Sequence, residues 1–435
     1  MTPSRAPIRI AVLGAGTVGA EVAAQLIEHR EEFEGRIGAP IALSGVAVRD
    51  LDAPRRPALP RELLTTDSRS LVLGANIVVE LIGGVEQARE LVLLALESGA
   101  DVVTGNKALL ATHGPELFAA AERVGAQLNY EAAVGGAIPI IRPLRDSLAG
   151  DHVRRILGIV NGTTNFVLDR MDEEGLGFDE ALAQATRLGY AEADPTGDVS
   201  GADAAQKAAI LAGLAFHTTV PLEKVWVEGI TGVTAEQVRT ARAAGQVVKL
   251  LAICERITAP DGTEGVSARV HPALLPRTHP LAAVRGANNA VFVQAESAGN
   301  LMFYGAGAGG PETASAVLGD LVSAARRHVI GGPGLIGSAG ADLPVLDHGV
   351  VETRYQITLA VRDEPGVLAR LAGIVSERGV SIETVEQSRA GSDGTASLVV
   401  GTHRAREAAL AATVEALRGA AEVEAVLGVL RVEGE

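Results

Sequence analysis

Residues 8–19, IRIAVLGAGTVG, constrain the fold more than any other stretch of the chain. A short apolar run of strand type passes into Gly14-Ala15-Gly16-Thr17-Val18-Gly19, and a helical pattern follows in GAEVAAQLIEH. G-x-G-x-x-G alone is a weak signal, but between a strand and a helix it becomes the fingerprint of a dinucleotide-binding turn. Missing side chains let the backbone approach a pyrophosphate, which then sits at the helix N-terminus.

The rest of the N-terminal third continues the pattern. IALSGVAVRD reads as a second strand, ANIVVELIGG as another, EQARELVLLALESG as a helix and ADVVTGNK as a further strand. This alternation implies a doubly wound parallel sheet, a Rossmann-type domain over residues 1–142. The second strand closes on Val48-Arg49-Asp50. An acid at such a tip holds the ribose hydroxyls of NAD, whereas an arginine holds the 2′-phosphate of NADP. Arg49 leads and favours NADP, with NAD as the alternative.

Residues 143–300 mix strands (HVRRILGIVNGTTNFVL, VSARVHPALL, AVFVQAES) with helices, an α+β pattern. A second glycine cluster, NLMFYGAGAGGPETASAVLGDL, runs into a helix. It is either a flexible turn or, over 301–330, a return segment that completes the nucleotide domain. IGGPGLIGSAGADLPVLDHG is glycine-rich and aperiodic, so 331–352 reads as a linker. Residues 353–435 follow the order β-α-β-β-α-β, a ferredoxin-like arrangement.

The totals narrow the function. At 435 residues the chain needs two or three domains. A net charge of −15 argues against general nucleic-acid binding, and no apolar run approaches the ~20 residues needed to cross a membrane. The sole cysteine, Cys254, lies in the apolar KLLAICERI and reads as a core residue. A reducing cytoplasm fits these features. Only four of the 38 Lys plus Arg are lysines, at 107, 207, 224 and 249. Where arginine fills almost every cationic position, a remaining lysine points to what arginine cannot do, trading a proton.

Lys207 stands out among them. DVSGADAAQKAAILAGLAF (198–216) is an almost wholly apolar helix that carries Asp203 and Lys207 four residues apart. On a solvated face the pair would be worth only ~0.2–0.5 kcal/mol. A helix apolar nearly all round is normally buried, and a buried charge must be paired or needed. The residues that lead into it, RLGYAEADPTGDVSGADAAQK, present Glu192, Asp194 and Asp198. With no histidine near, these carboxylates read as an acidic loop or as partners of a substrate ammonium rather than transition-metal ligands. Lys107 follows a strand of the sheet, where ligands of open α/β sheets bind; it is either a ligand contact or a surface lysine after a turn. Glu131, with the turn carbonyls after it, is either a glycine-rich turn or an oxygen-donor cation site.

Taken together, GAGTVG, TGNKALL, EAAVGGAIPII, NGTTNF, GYAEADPTGDVSGADAAQK and YGAGAGGPETASAVLGDL resemble the blocks of homoserine dehydrogenases, in order, over residues 8–330. DEPGVLARLAGIVSERGVSIE makes 355–435 resemble an ACT domain. The resemblance implies reversible hydride transfer between L-homoserine and L-aspartate 4-semialdehyde, in threonine, isoleucine and methionine synthesis. It implies Lys207 as proton donor and acceptor, with Asp203 orienting the substrate or the lysine. Glu192 and Asp198 would bind substrate, and Lys107 would lie near both substrate and coenzyme. Gly189 and Gly307 join Gly14–Gly19 and Arg49 as cofactor contacts. Glu131 with the carbonyls of Val134, Gly136 and Ile138 would hold a sodium or potassium ion. In the ACT-like unit, Asp363, Gly366, Val367, Ser381 and Ile382 would bind an amino-acid effector such as L-threonine, or the unit would serve only to dimerise. Residues 143–300 would bind substrate and pair subunits into a homodimer or homotetramer. The competing reading is a catalytically silent sensor of nicotinamide and amino acids.

Overall fold

The apolar run and glycine turn fold as their pattern dictates in the computed structural model, which describes residues 6–332, 340–388 and 395–434. Strand β1 (Ile8–Leu13) buries every residue but Arg9, and α1 (Thr17–Glu28) follows the turn. Next come α2 (Arg30–Ile37), β2 (Ile41–Ala47), β3 (Leu64–Thr65), α3 (Ser68–Leu73), β4 (Ile77–Glu80), α4 (Glu86–Glu97), β5 (Asp101–Thr104), α5 (Lys107–Val124) and β6 (Leu128–Asn129). The strands are parallel, in the order β3-β2-β1-β4-β5-β6. The order reverses between β1 and β4, and open α/β sheets bind ligands at such a switch point. Helix α2 is absent from the apolar pattern because REEFEGRI buries only Phe33 and Ile37.

The chain then builds β7 (Val153–Ile159), α6 (Gly162–Glu174), α7 (Phe178–Arg187), α8 (Thr196–Val199), α9 (Ala202–Phe216), β8 (Trp226–Val227), α10 (Ala235–Ala243) and the antiparallel pair β9 (Gln246–Thr258) and β10 (Glu264–Pro276). HVRRILGIVNGTTNFVL is therefore not one strand. Asn161 accepts the Thr164 amide at 2.8 Å, and this N-cap starts a helix despite the β-branched residues that follow. Cys254 is buried on β9.

After β11 (Asn288–Ala295) and β12 (Gly299–Ala306), helix α11 (Gly310–Ile330) packs its apolar face into the core of β1 and α1. The last elements are β13 (Glu352–Arg362), α12 (Val367–Glu377), β14 (Ile382–Gln387), β15 (Thr395–Thr402), the two-residue β16 (Ala405–Arg406), α13 (Glu407–Arg418) and β17 (Val423–Val432). By packing, one unit comprises residues up to Val153 with Ala209–Leu222 and Asn289–Asp342. The other comprises Arg154–Ala208, Glu223–Asn288 and the chain from Leu343.

Within the second unit the C-terminal β-α-β-β-α-β element shares one sheet, ordered β7-β9-β10-β17-β13-β15-β14, with the strands before it. Strand β17 pairs with β10 in parallel and with β13 antiparallel. Of the 331–352 linker, residues 333–339 lie outside the described residues, as do 389 and 390 of the VSIETVEQSRA run. The linker's far end is seated on the sheet: Val345 bridges Val266, and Leu346 donates to the Val266 carbonyl at 2.9 Å.

One buried cluster ties β17 to β8. The Arg431 guanidinium donates to Glu407 at 2.5 Å and Glu228 at 2.7 Å and lies 4.4 Å from the centre of the Trp226 ring. His348 stacks on the same indole, centroids 3.9 Å apart, and Tyr355 donates to Glu407 at 2.5 Å. Burial pushes the Glu407 carboxyl up, but hydrogen bonds from His348 and Arg431 overcome it and hold the group at about 2. A depressed carboxyl stabilises the fold above its unfolded value, and the contribution is lost as pH falls towards 2. Arg431→Met leaves Glu407 buried without its cation and is expected to cost about 3–5 kcal/mol at neutral pH. Urea unfolding, followed through the chain's sole tryptophan, measures the loss, which should shrink below about pH 4 as Glu407 takes a proton.

Candidate functional site

In the first unit the three glycines of the turn have three separate reasons. Gly14 has φ +95°, and a Cβ there would lie 2.6 Å from the Leu81 carbonyl oxygen. A methyl on Gly19 would overlap the carbonyl oxygen of Gly14. Gly16, the N-cap of α1, faces open space. Two glycines thus close the turn on β4 and on itself, and the third leaves its outer side bare. A Cβ on Gly310, at the start of α11, would lie 3.1 Å from the Thr17 side chain. The positive ends of two helices therefore meet at this turn, a cradle suited to a pyrophosphate. Gly83 and Gly84, just past β4, are also open and left-handed (φ +70° and +75°). Sequence reasoning passed over that pair, although Gly-Gly after a strand at the switch point was a usable signal.

Around the turn, Arg49 is exposed beyond β2, while the Asp50 carboxylate accepts the Asp52 amide at 2.8 Å in a local turn. Asn106 caps α5 by accepting the Leu109 amide at 3.0 Å, which sets Lys107 in the first helical turn. Gly307 packs under the Asn289 side chain, and its carbonyl abuts Gly136.

The Glu131 carboxylate is held by backbone amides and an arginine. Its two oxygens accept the amides of Ile140, Ile141 and Arg142 at 2.5–3.0 Å and the Arg142 Nε at 3.0 Å. A residue the sequence did not flag stands behind this group. Asp320 on α11, 1% exposed, accepts the Glu131 amide at 2.7 Å. Burial, against that hydrogen bond and with the Glu131 charge adding to it, raises its carboxyl to about 7.

The second unit holds the lysine. Gly201, at φ +86°, lies so close to β8 that a Cβ would meet Val227 at 2.9 Å, and α9 starts from it. Along α9, Ala204, Ala205, Ala208 and Leu211 are buried. Lys207, 8% exposed, donates to Asp203 at 2.7 Å and to the Val160 carbonyl at 2.6 Å. Asn161 then donates to Asp198 at 2.7 Å and to Asp203 at 2.9 Å. The ammonium has three donors. Two meet these acceptors among the described residues. Asp198, Asp203 and Lys207 are thus brought together, joined by Val160 and Asn161, to which sequence reasoning gave no role. The usable signal was Asn-Gly directly after an apolar strand, where an N-cap is expected.

Glu192 stays exposed on the loop between α7 and α8. That loop is tied down by Thr163, which donates to the Tyr190 carbonyl at 2.7 Å, and by the Phe166 and Tyr190 rings, 5.0 Å apart. Gly189, left-handed at φ +78°, sits where α7 has ended, and the turn alone accounts for a glycine there.

In the C-terminal element a cavity of about 390 Å³ opens at the β13–α12 turn, lined by Val361, Asp363, Gly366, Val367, Gln387 and Leu398. Three of the five effector-site residues expected from sequence lie there. Ser381 and Ile382 lie at the other end of β14 from Gln387, about 16 Å away at strand rise.

Fold and site together define a nicotinamide-dependent oxidoreductase acting on a CH–OH group. The model of the homoserine dehydrogenase NAD-binding domain matches residues 14–131, that of homoserine dehydrogenase residues 139–322, and that of the ACT domain residues 355–422. The chain is 52% identical over 436 residues to the homoserine dehydrogenase of Corynebacterium glutamicum, covering 99% of this chain and 97% of that protein. It superposes on a homoserine dehydrogenase from Thiobacillus denitrificans with a TM-score of 0.92 at 40% identity, 98% of each chain covered. A hyperthermophilic archaeal homoserine dehydrogenase in complex with NADPH matches 75% of this chain and 99% of its own, with a TM-score of 0.62 at 28% identity. The chain belongs to the homoserine dehydrogenase family.

Two outcomes follow from the first unit. Gly19→Ala forces the turn open and should weaken NADPH binding at least about tenfold by fluorescence titration, because the pyrophosphate cradle loses its shape. For Asp320, a raised carboxyl means stability is full below the unfolded value near 4 and falls as pH rises towards 7. Asp320→Asn should therefore gain stability over wild type as pH rises from 4 to 7, by at most about 1.4 kcal/mol per pH unit. Urea titrations across that range test it.

Proposed function

We propose that the enzyme interconverts L-homoserine and L-aspartate 4-semialdehyde with NADP as the preferred coenzyme, and that Lys207 carries the proton at the C4 oxygen. The observation that carries this reading is the buried ammonium, two of whose three donors are met among the described residues. A nicotinamide held at the Gly14–Gly19 turn would take up or supply the hydride at C4. In the oxidative direction Lys207, having released its own proton, accepts that of the hydroxyl; in the reductive direction it returns a proton to the aldehyde oxygen. Asp203 fixes the lysine in place, and Asp198 with Glu192 holds the amino-acid end of the substrate. Lys107 contributes to both ligands.

The exposed Arg49, beside an Asp50 engaged in its own turn, supports contact with a 2′-phosphate. The Gly14–Gly19 cradle, Gly307 and the left-handed Gly189 complete the coenzyme contacts. A monovalent cation held by Glu131 with the carbonyls of Val134, Gly136 and Ile138 would brace that turn. The cavity at Asp363, Gly366 and Val367 would take an amino acid such as L-threonine as a feedback effector, and copies of the chain would pair as a homodimer or homotetramer.

Absorbance at 340 nm with L-homoserine reads the reaction. Lys207→Met should lose about 10²–10⁴-fold in kcat while still binding NADPH, the usual span for a lost acid–base group. Wild type that binds NADPH yet gives no homoserine-dependent reduction would favour a silent sensor instead. Arg49→Ala should raise the KM for NADP⁺ about tenfold or more and leave that for NAD⁺ nearly unchanged, since one charge-assisted contact is lost. Added L-threonine should inhibit wild type, and Gly366→Val, which places a branched side chain at φ +90°, should relieve it.

A further inference from the structure

We propose that Asn161 is a positioning residue for the reaction, a single amide that sets the substrate-binding acid and the proton-transfer pair against each other. The inference rests on the roles given above to Lys207, Asp203 and Asp198. Asn161 is 5% exposed, and every polar atom of its side chain is committed. Its Oδ1 accepts the Thr164 amide at 2.8 Å and the Thr164 hydroxyl at 2.9 Å, which caps α6. Its Nδ2 donates to Asp198 Oδ1 at 2.7 Å and to Asp203 Oδ2 at 2.9 Å.

That second carboxylate oxygen is the one Lys207 also uses. Asp203 Oδ2 is thus held from two sides, by a cation on its own helix and by an amide on α6. The residue just before Asn161 supplies the lysine's other acceptor, the Val160 carbonyl. Two consecutive residues, Val160 and Asn161, therefore fix three charged groups on α8 and α9. They also separate two tasks that chemistry must keep apart. Asp198 and Asp203 are like charges that would repel across a short gap, and one NH₂ with two hydrogens aimed at both offsets that repulsion. Asn161 itself is fixed because α6 is fixed. Further along that helix, Asn165 donates to the Gly286 carbonyl at 2.8 Å and accepts from the buried Lys249 at 2.9 Å.

The cap and the double donation can be separated. Asp and Ser both serve as N-caps about as well as Asn. An aspartate in place of Asn161 would have no hydrogens for the two carboxylates, and a serine hydroxyl is too short and has only one. Asn161→Ser should stay folded at the assay temperature with wild-type NADPH affinity, whereas Asn161→Asp, a third carboxylate beside Asp198 and Asp203, should also lower the melting temperature. Both should lose about 10²-fold in kcat/KM, the scale of a misplaced reacting group. The loss should divide, with kcat lowered through Asp203 and Lys207 and the homoserine KM raised through Asp198. Both variants within about threefold of wild type, or a loss that only tracks a fall in melting temperature, would overturn the proposal. Lys207→Met run alongside separates the two claims: if it is inactive while both Asn161 variants are normal, only the positioning role fails. If Lys207→Met keeps wild-type activity, the proton-transfer reading falls and the positioning role with it.

Discussion

An ammonium cannot be buried on an alanine-rich helix unless oxygens are brought to it, and much of the second unit is arranged around that requirement. Stripping an ion of water costs several kcal/mol before any partner is found. Lys207 recovers this from one carboxylate on its own helix and one backbone carbonyl at the end of β7. Both acceptors depend on other parts of the unit. The carbonyl is presented because β7 stops at Ile159 and α6 begins two residues after Val160. The carboxylate is placed because α9 starts from a glycine pressed against β8. A buried lysine with a donor left over is costly to build for stability alone, and the proposed proton transfer rests on that cost.

The first unit solves a different problem, that of holding a large anion without a cluster of cations. Its answer is backbone. Two glycines close the turn tightly, a third leaves it bare, and the starts of α1 and α11 converge on it. The same economy appears at Glu131, whose carboxylate is held by three consecutive amides and an arginine. Behind it Asp320 keeps a proton far above the usual carboxyl range, because it is buried and the Glu131 charge lies beside it.

Much of this was legible in the residues. Strand-turn-helix alternation gave the parallel sheet, because fully buried strands read as continuous apolar runs. The β-α-β-β-α-β order of the C-terminal element was equally plain. What escaped was set by single side chains acting across distance. The patterning of HVRRILGIVNGTTNFVL favoured strand throughout, and one Asn cap overrode it. Val160 acts through a carbonyl, which no side-chain pattern reports. Asp320 lies 189 residues from its partner Glu131. The C-terminal element reads as an appendage in sequence, whereas β17 lies between β10 and β13 in one sheet, a pairing of distant strands that local periodicity cannot reveal.

The central claim is that the Lys207 amine itself carries the proton, and chemical rescue tests it most directly. Lys207→Ala leaves a gap in an otherwise unchanged polar setting, and small primary amines added to the assay can enter it. Homoserine oxidation by the variant should rise with amine concentration and, among amines of similar size, with amine basicity, as general-base catalysis requires. A variant that binds homoserine and NADPH normally but shows no response to any amine would contradict the account.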